Sequence, residues 1–254
     1  MTPKQLMRQQ QRKLCEQFAQ GDGDHQIGVR TLELFPFRGH LYGGEIAKLD
    51  DVSPDEAFVW SRGAEDHELW VKAHEKGTPG SNAYRTQWKR FCRQKYGIDW
   101  NLPGAEVNID HLFPETAGSV MGLTFIRLMP IDAKANRAQS PEEKQRAKRE
   151  REIIAQPPAF KEPKPVRLAV PETLAKATGF REAIKLPEDR SGPADLAQIR
   201  RLVAHVTRTT GLDEPKVLTE LMVHLTQSRI TDIQTPLDQR ADKRAAMPSF
   251  NFNG

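Results

Sequence analysis

At three places in this sequence Asp is followed directly by His, and such a pair can carry out chemistry. The pairs are Asp24–His25, Asp66–His67 and Asp110–His111. A carboxylate is a good ligand for a divalent cation, and a neutral imidazole can take a proton from water near pH 7. Metal-assisted hydrolysis needs both functions close together, so the surroundings of each pair decide whether it is a candidate.

The first two pairs have surroundings that explain them without a function. Asp24–His25 lies in a glycine-rich turn, residues 21–25, where Asp is favoured for its local hydrogen bonds. Asp66–His67 lies in S-R-G-A-E-D-H-E-L-W, which we interpret as a helix with acidic residues near its start. We expect both to be surface pairs.

The third pair stands at the end of a predicted strand. Val107 and Ile109 alternate with Asn108 and Asp110, which is the pattern of a half-buried strand. A loop at 115–119, a second apolar strand at 120–130 and a helix that begins near 131 follow. The predicted order is therefore strand, loop, strand, helix. A hydrogen-bonded pair at a strand end, without catalysis, is the alternative interpretation of Asp110–His111.

Two short motifs frame this region: I-D-H-L-F-P at 109–114 and R-L-M-P-I-D-A-K-A-N-R at 127–137. Together they resemble the HNH, or ββα-metal, nucleases over about residues 106–140. The family motif runs Asp-His-apolar-apolar-Pro, a variable loop, then Asn-Leu-x-Pro-apolar and, about five residues later, Asn or His with a basic residue. The residues in register in the second half are Leu128, Pro130, Ile131, Asn136 and Arg137.

The resemblance implies a role for each matched polar residue. Asp110 would be a carboxylate ligand to one divalent cation, and Asn136 would add a second ligand through its amide oxygen. His111 would be the general base that activates water. The implied metal is Mg²⁺, with Mn²⁺ or another divalent ion as alternatives. Cys15 and Cys92 fit no zinc-binding spacing, so we expect no structural zinc.

Arg127 departs from the family pattern, which has Asn at this position. Arginine cannot accept a hydrogen bond and is always charged. We include Arg127 among the candidate catalytic residues because it can donate to loop carbonyls or contact a phosphate. The alternative is that Arg127 marks a degenerate site that binds nucleic acid without cutting it.

A basic helix is predicted over residues 82–96, with an apolar stripe and an exposed side that has no acidic residue. We predict that nucleic-acid phosphates bind there and beside the motif; the residues are Arg85, Lys89, Arg90, Arg93, Lys134 and Arg137. The net charge of +4 and the sequence pI near 9.1 permit such binding without establishing it. A solvated surface is the alternative.

The predicted fold class is α+β: mainly helical, with a ββα-metal hairpin–helix core and a C-terminal helical pair. We divide the chain into an HNH-like domain at 1–155, a Pro-rich linker at 156–192, a helical hairpin at 193–230 and a flexible tail at 231–254. Within the first domain, Ser53 and Glu56 have the spacing of a capping box and predict a helix start. The helical pair is a possible site for a protein partner.

These features predict a metal-dependent endonuclease that cleaves DNA with low sequence specificity. RNA is the less favoured alternative substrate. A nuclease toxin, a defence or mobile-element nuclease and a housekeeping nicking enzyme are all compatible with this prediction. The alternatives are a catalytically degenerate binding or adaptor protein, and a helical interaction protein in which the motif match is fortuitous. No apolar run is long enough to span a bilayer and the N-terminus lacks a secretory pattern, so we expect a cytoplasmic protein without a membrane partner, with export by a specialised secretion route as the alternative.

Overall fold

The computed structural model describes residues 1–19, 26–29, 44–74, 82–101, 106–120, 122–154, 166–167, 171–185, 196–219 and 221. The helices are α1 (Pro3–Ala19), α2 (Ala83–Tyr96), α3 (Glu115–Val120), α4 (Ala133–Ile154), α5 (Pro171–Thr178) and α6 (Leu196–Thr210). The strands are β1 (Gln26–Val29), β2 (Glu45–Lys48), β3 (Ala57–Ser61), β4 (His67–Lys72), β5 (Val107–His111), β6 (Phe125–Asp132) and β7 (Val166–Arg167). The mixture of helices and antiparallel strands confirms the α+β class.

The described strands form one antiparallel sheet in the order β2-β3-β4-β6-β1-β7, with β5 also paired to β6. Leu128 of β6 pairs with Leu69 of β4 and with His111 of β5, so β4 and β5 lie on opposite edges of β6. On the β5 edge, β1 pairs with the first residues of β6 and β5 with the remainder. β6 is therefore the strand that connects the motif region to the rest of the sheet.

Pro130 explains where the pairing between β4 and β6 ends. The Leu112 amide donates to the Arg127 carbonyl at 2.9 Å. Hydrogen-bonded and non-hydrogen-bonded residue pairs alternate along two antiparallel strands, so Ile109 and Pro130 form a non-hydrogen-bonded pair whose backbone groups point away from each other. The Pro130 nitrogen, which has no hydrogen, therefore faces the β4 edge. The pairing with β4 stops at Leu128, and a proline is tolerated beyond it because no partner strand requires its N–H.

Helices cover both faces of β6 because successive residues of a strand point to opposite sides. Leu128 belongs to an apolar cluster with Trp88 and Phe91 of α2. Met129 belongs to a second cluster that includes Leu174 of α5. The motif hairpin is thus held between α2 on one face and the C-terminal helices on the other.

Two predicted helix starts are wrong. After Ser53 the chain makes a single turn, in which the amides of Glu56 and Ala57 donate to the Ser53 carbonyl at 2.9 and 3.1 Å, and β3 then begins. His67 is the first residue of β4, so the pair Asp66–His67 does not lie in a helix. The strands A-F-V-W-S and H-E-L-W-V-K are rich in aromatic and aliphatic side chains and pair with each other, which outweighs the local capping signal.

The predicted linker contains an element of the core. α5 lies within 156–192, and all eight of its residues are buried. α6 matches the predicted first helix of the C-terminal pair, and residues 214–219 are helical after the turn at Gly211. The rest of the predicted second helix beyond residue 221, the tail at 231–254 and the pair Asp24–His25 lie outside the described residues. Among the described helices there is none with the length and apolar composition that a membrane span requires.

Candidate functional site

The motif residues lie on two paired strands followed directly by a helix. β5 pairs with β6 from Val107 to His111, and α4 begins at Ala133, immediately after β6. The Asp132 carboxylate caps α4: its Oδ1 accepts the amides of Lys134 and Ala135 at 3.0 and 2.9 Å. The predicted loop between the strands contains the short helix α3. The order predicted for this region is therefore present, with a helical turn added between the strands.

Asp110 is bound on one side by its own strand and on the other by α5. Its Oδ1 accepts the backbone N–H of His111 at 2.8 Å, and its Oδ2 lies 3.1 Å from Nζ of Lys176. The same ammonium lies 2.7 Å from Oε1 of Glu143 on α4. The Lys176 side chain is 1% exposed, whereas those of Asp110 and Glu143 are 26% and 16% exposed. We call these three residues the Lys176 triplet.

The pKa shifts within the triplet favour its charged form. Burial alone raises the pKa of Asp110, but the charge of Lys176 and then the neighbouring His111 outweigh it, and the pKa lies well below its ordinary value. Burial alone lowers the pKa of Lys176, but Asp110 and Glu143 outweigh it, and that pKa lies above its ordinary value. A buried ammonium loses its contacts with water, and two neighbouring carboxylates compensate for that loss through their negative charge.

His111 is enclosed. It is 3% exposed, and its ring lies against that of Tyr84, with ring centroids 4.9 Å apart. Its Nδ1 is 3.8 Å from Oδ1 of Asp110. Within the described residues, its Nε2 is buried without a hydrogen-bond partner. Burial, followed by the negative charge of Asp110, raises the pKa of the Tyr84 hydroxyl.

Asn136 lies in the first turn of α4 and is half-buried. It precedes Glu143 by seven residues, which is two helical turns, so the two side chains share a face of α4. Through Glu143 and Lys176, that face is connected to Asp110. Asn136 is thus on the side of the helix that faces the site, and direct contact with Asp110 stays a prediction.

Arg127 lies on β6 within a different group of charges. Its Nη1 is 3.1 Å from Oε1 of Glu68 on β4, the edge of β6 opposite β5, and both side chains are almost fully buried. Arg62 and the Trp70 indole also donate to Glu68, each at 3.1 Å. The structure therefore brings Asp110 and His111 together and places Arg127 in the Glu68 network.

The six predicted phosphate-binding residues are all exposed: Arg85, Lys89, Arg90, Arg93, Lys134 and Arg137. Two of those on α2 have partners, because Arg90 donates to the Asp51 carbonyl at 2.8 Å and Arg93 pairs with Asp99 at 2.9 Å. The guanidinium of Arg85 lies 5.5 Å from the centre of the Tyr84 ring, next to His111. Part of the basic surface thus adjoins the enclosed histidine.

Comparisons with known proteins do not identify a family. The chain matches no protein-family model, no curated protein and no solved structure. The resemblance of residues 106–140 to HNH nucleases therefore stays a prediction, and it rests on the motif residues.

The predicted ligands, Asp110 and Asn136, are of types that a hard divalent cation binds. Carboxylates and the carboxamide of Asn136 are ligand types that Mg²⁺ prefers, usually with only one or two protein ligands and several waters. Asp110 and Glu143 already hold one positive charge between them, that of Lys176. The described ranges contain no group of three or more His, Cys, Asp or Glu suited to a metal, but a site of the expected kind does not need one.

Sequence reasoning missed Lys176 and Glu143 as members of the site and assigned Tyr84 only to an apolar stripe. Lys176 falls in L-A-K-A-T-G, inside the predicted linker. The available signal was a single lysine between small apolar residues, just before a glycine that can end a helix. That signal indicates a buried helical lysine but does not identify its partners.

Proposed function

We propose that this chain is a metal-dependent HNH-type endonuclease that hydrolyses phosphodiester bonds in DNA with low sequence specificity. The observation that carries the proposal is the placement of Asp110 and His111. They stand side by side at the end of β5, with 3.8 Å between carboxylate oxygen and imidazole nitrogen. β6 and α4, which carries Asn136, follow in the order that the motif implies.

In this proposal each residue has one task. Asp110 and Asn136 would hold the divalent cation, which when bound stabilises negative charge on the scissile phosphate. Asp110 lies beside Nδ1 of His111, and Nε2 is the ring nitrogen left to accept a proton from water. Because His111 is 3% exposed, with the Tyr84 ring against it, a substrate phosphate reaches the imidazole only after neighbouring side chains move. The exposed cations of α2 bind backbone phosphates, which gives affinity without base recognition.

A plasmid-nicking assay with Mg²⁺ or Mn²⁺ tests the proposal. His111→Ala is expected to lower the nicking rate by about 10²–10⁴-fold, the usual contribution of a general base. His205→Ala is the matched control, since His205 lies on α6, where its ring contacts Phe180, and we expect it to leave the rate unchanged. Thermal melting of both variants checks that each is folded. Cleavage that survives His111→Ala contradicts the proposal.

A second function is favoured by a specific observation. Lys176 contacts Asp110 and the His111 ring is enclosed, as expected for a degenerate HNH-like protein that binds nucleic acid or acts as an adaptor. The C-terminal helical residues are then the candidate surface for a protein partner. A wild-type chain that shifts DNA in a gel but nicks no plasmid with either metal supports this second function against the first.

A further inference from the structure

Lys176 reaches the site from the interior of the molecule. α5 is buried along its whole length, and the ammonium at the end of the Lys176 side chain meets Asp110 at 3.1 Å and Glu143 at 2.7 Å. The two carboxylates, by contrast, keep partial exposure to solvent. A cation from solvent can therefore reach these two side chains, whereas the lysine is enclosed by the protein.

The triplet has one positive and two negative charges, so the carboxylates are not fully neutralised. Their oxygens contact a common nitrogen atom and are therefore close enough for a single ion to bind both after a small side-chain adjustment. A divalent ion bound to both carboxylates would lie within a few ångströms of the Lys176 ammonium, and the two positive charges would repel each other. Both cations cannot use the two carboxylates fully at the same time.

We propose that Lys176 and a divalent cation compete for the carboxylates of Asp110 and Glu143, so that Lys176 weakens metal binding by the wild-type chain. Glu143 then becomes a metal ligand that the family motif does not include. The inference rests on the proposed function in one respect, namely that the metal binds at Asp110. In addition, a side chain of the protein itself, Lys176, would oppose metal binding.

Titration of the full chain with Mn²⁺, without DNA, tests this competition. Lys176→Met is expected to bind Mn²⁺ at least about tenfold more tightly than wild type, within the range by which neighbours of metal ligands change affinity. Lys176→Arg keeps the positive charge and is the matched control, for which we expect no gain. Adding Glu143→Gln to Lys176→Met is expected to abolish most of the gain.

Two results overturn the proposal: an affinity of Lys176→Met for Mn²⁺ equal to that of wild type, or a gain in affinity that persists fully with Glu143→Gln.

Removing the ammonium leaves two carboxylates without their buried partner, so Lys176→Gln, which keeps a hydrogen-bond donor, is measured in parallel. Thermal melting is expected to show a larger Mn²⁺-induced rise in Tm for both variants than for wild type. If neither variant folds even with Mn²⁺ present, the ion does not replace the ammonium and the proposal fails.

The metal titration and the nicking assay fail independently. Tighter Mn²⁺ binding by Lys176→Met, with no nicking by any variant, supports the competition and contradicts the nuclease. Nicking by the wild type, with unchanged Mn²⁺ affinity in Lys176→Met, supports the nuclease and contradicts the competition.

Discussion

Arg127 provides a test of whether a residue of the motif serves the fold. The test replaces it by methionine, which has a comparable length and no charge. In the structure this removes the contact of Arg127 with Glu68, whose side chain is 0% exposed; Arg62 and the Trp70 indole keep their contacts with Glu68 at 3.1 Å. Glu68 would remain charged and buried with one cationic partner fewer.

The expected cost follows from that geometry. Removing one partner of a buried ion pair destabilises a protein by about 3–5 kcal/mol, because the remaining charge is left desolvated. Since Arg62 still contacts the same carboxylate oxygen, we expect Arg127→Met to lie near the lower end, at about 3 kcal/mol. Arg93→Met is the control: Arg93 and Asp99 are 77% and 71% exposed, and such pairs contribute about 0–1 kcal/mol.

Urea unfolding at neutral pH measures the free energy of unfolding of each variant. The double variant Glu68→Gln, Arg127→Met is expected to recover much of the loss, because neutralising both partners removes the unpaired charge. A loss of less than about 1 kcal/mol for Arg127→Met refutes the structural reasoning. If that variant also loses nicking activity while it keeps full stability, Arg127 acts in catalysis, as the sequence predicted.

Two further predictions concern the start of α4 and the basic surface. Burial raises the pKa of Asp132, but the hydrogen bonds from Arg181 and from the amides of Ala135 and Lys134 outweigh it, and the pKa lies below its ordinary value. The carboxylate therefore stabilises the fold above its unfolded pKa of about 4, and this contribution disappears as the pH falls through the folded pKa. We expect Asp132→Asn to lower the free energy of unfolding by about 0.5–1.5 kcal/mol at pH 7, and we expect this difference from wild type to disappear in acid. Urea unfolding at several pH values measures the difference. A difference that does not change with pH argues against the capping role. Lys89→Ala is expected to weaken DNA binding equally for unrelated sequences and to lower the slope of log affinity against log salt concentration by about one. Lys216 is also exposed, and Lys216→Ala is expected to have neither effect. Binding titrations over a range of salt concentrations measure both variants, and equal effects of the two exclude a specific role for α2.

Local patterns predicted the elements whose burial follows from their own residues. The alternation of Val107 and Ile109 predicted β5, and the apolar stripe with Trp88 and Phe91 predicted α2. The same reasoning failed at Ser53, where a local capping signal was weaker than the pairing of β3 with β4. Strand pairing depends on residues elsewhere in the chain, which a local pattern does not contain.

In the candidate site, too, contacts between neighbours in the chain were predictable and contacts between separate elements were not. Asp110 and His111 are neighbours in the chain, so the sequence alone is enough to predict their proximity. The contact of Lys176 with Asp110 and that of Arg127 with Glu68 join residues on separate elements, and only the packing of those elements brings them together. The amino-acid type of a lone lysine or arginine indicates that it needs a counter-charge when buried, but not which carboxylate supplies it.

The position of α5 late in the chain has a consequence for biosynthesis. The ribosome makes Asp110 and Glu143 before Lys176, and at about 5–20 residues per second the stretch from residue 143 to residue 176 takes roughly 2–7 s. In the nascent chain, both carboxylates are without their ammonium during this interval, and the face of Met129 that packs in the α5 cluster has no cover from that helix. Because α5 carries both Leu174 and Lys176, the same helix covers the apolar cluster of Met129 and supplies the ammonium of the triplet.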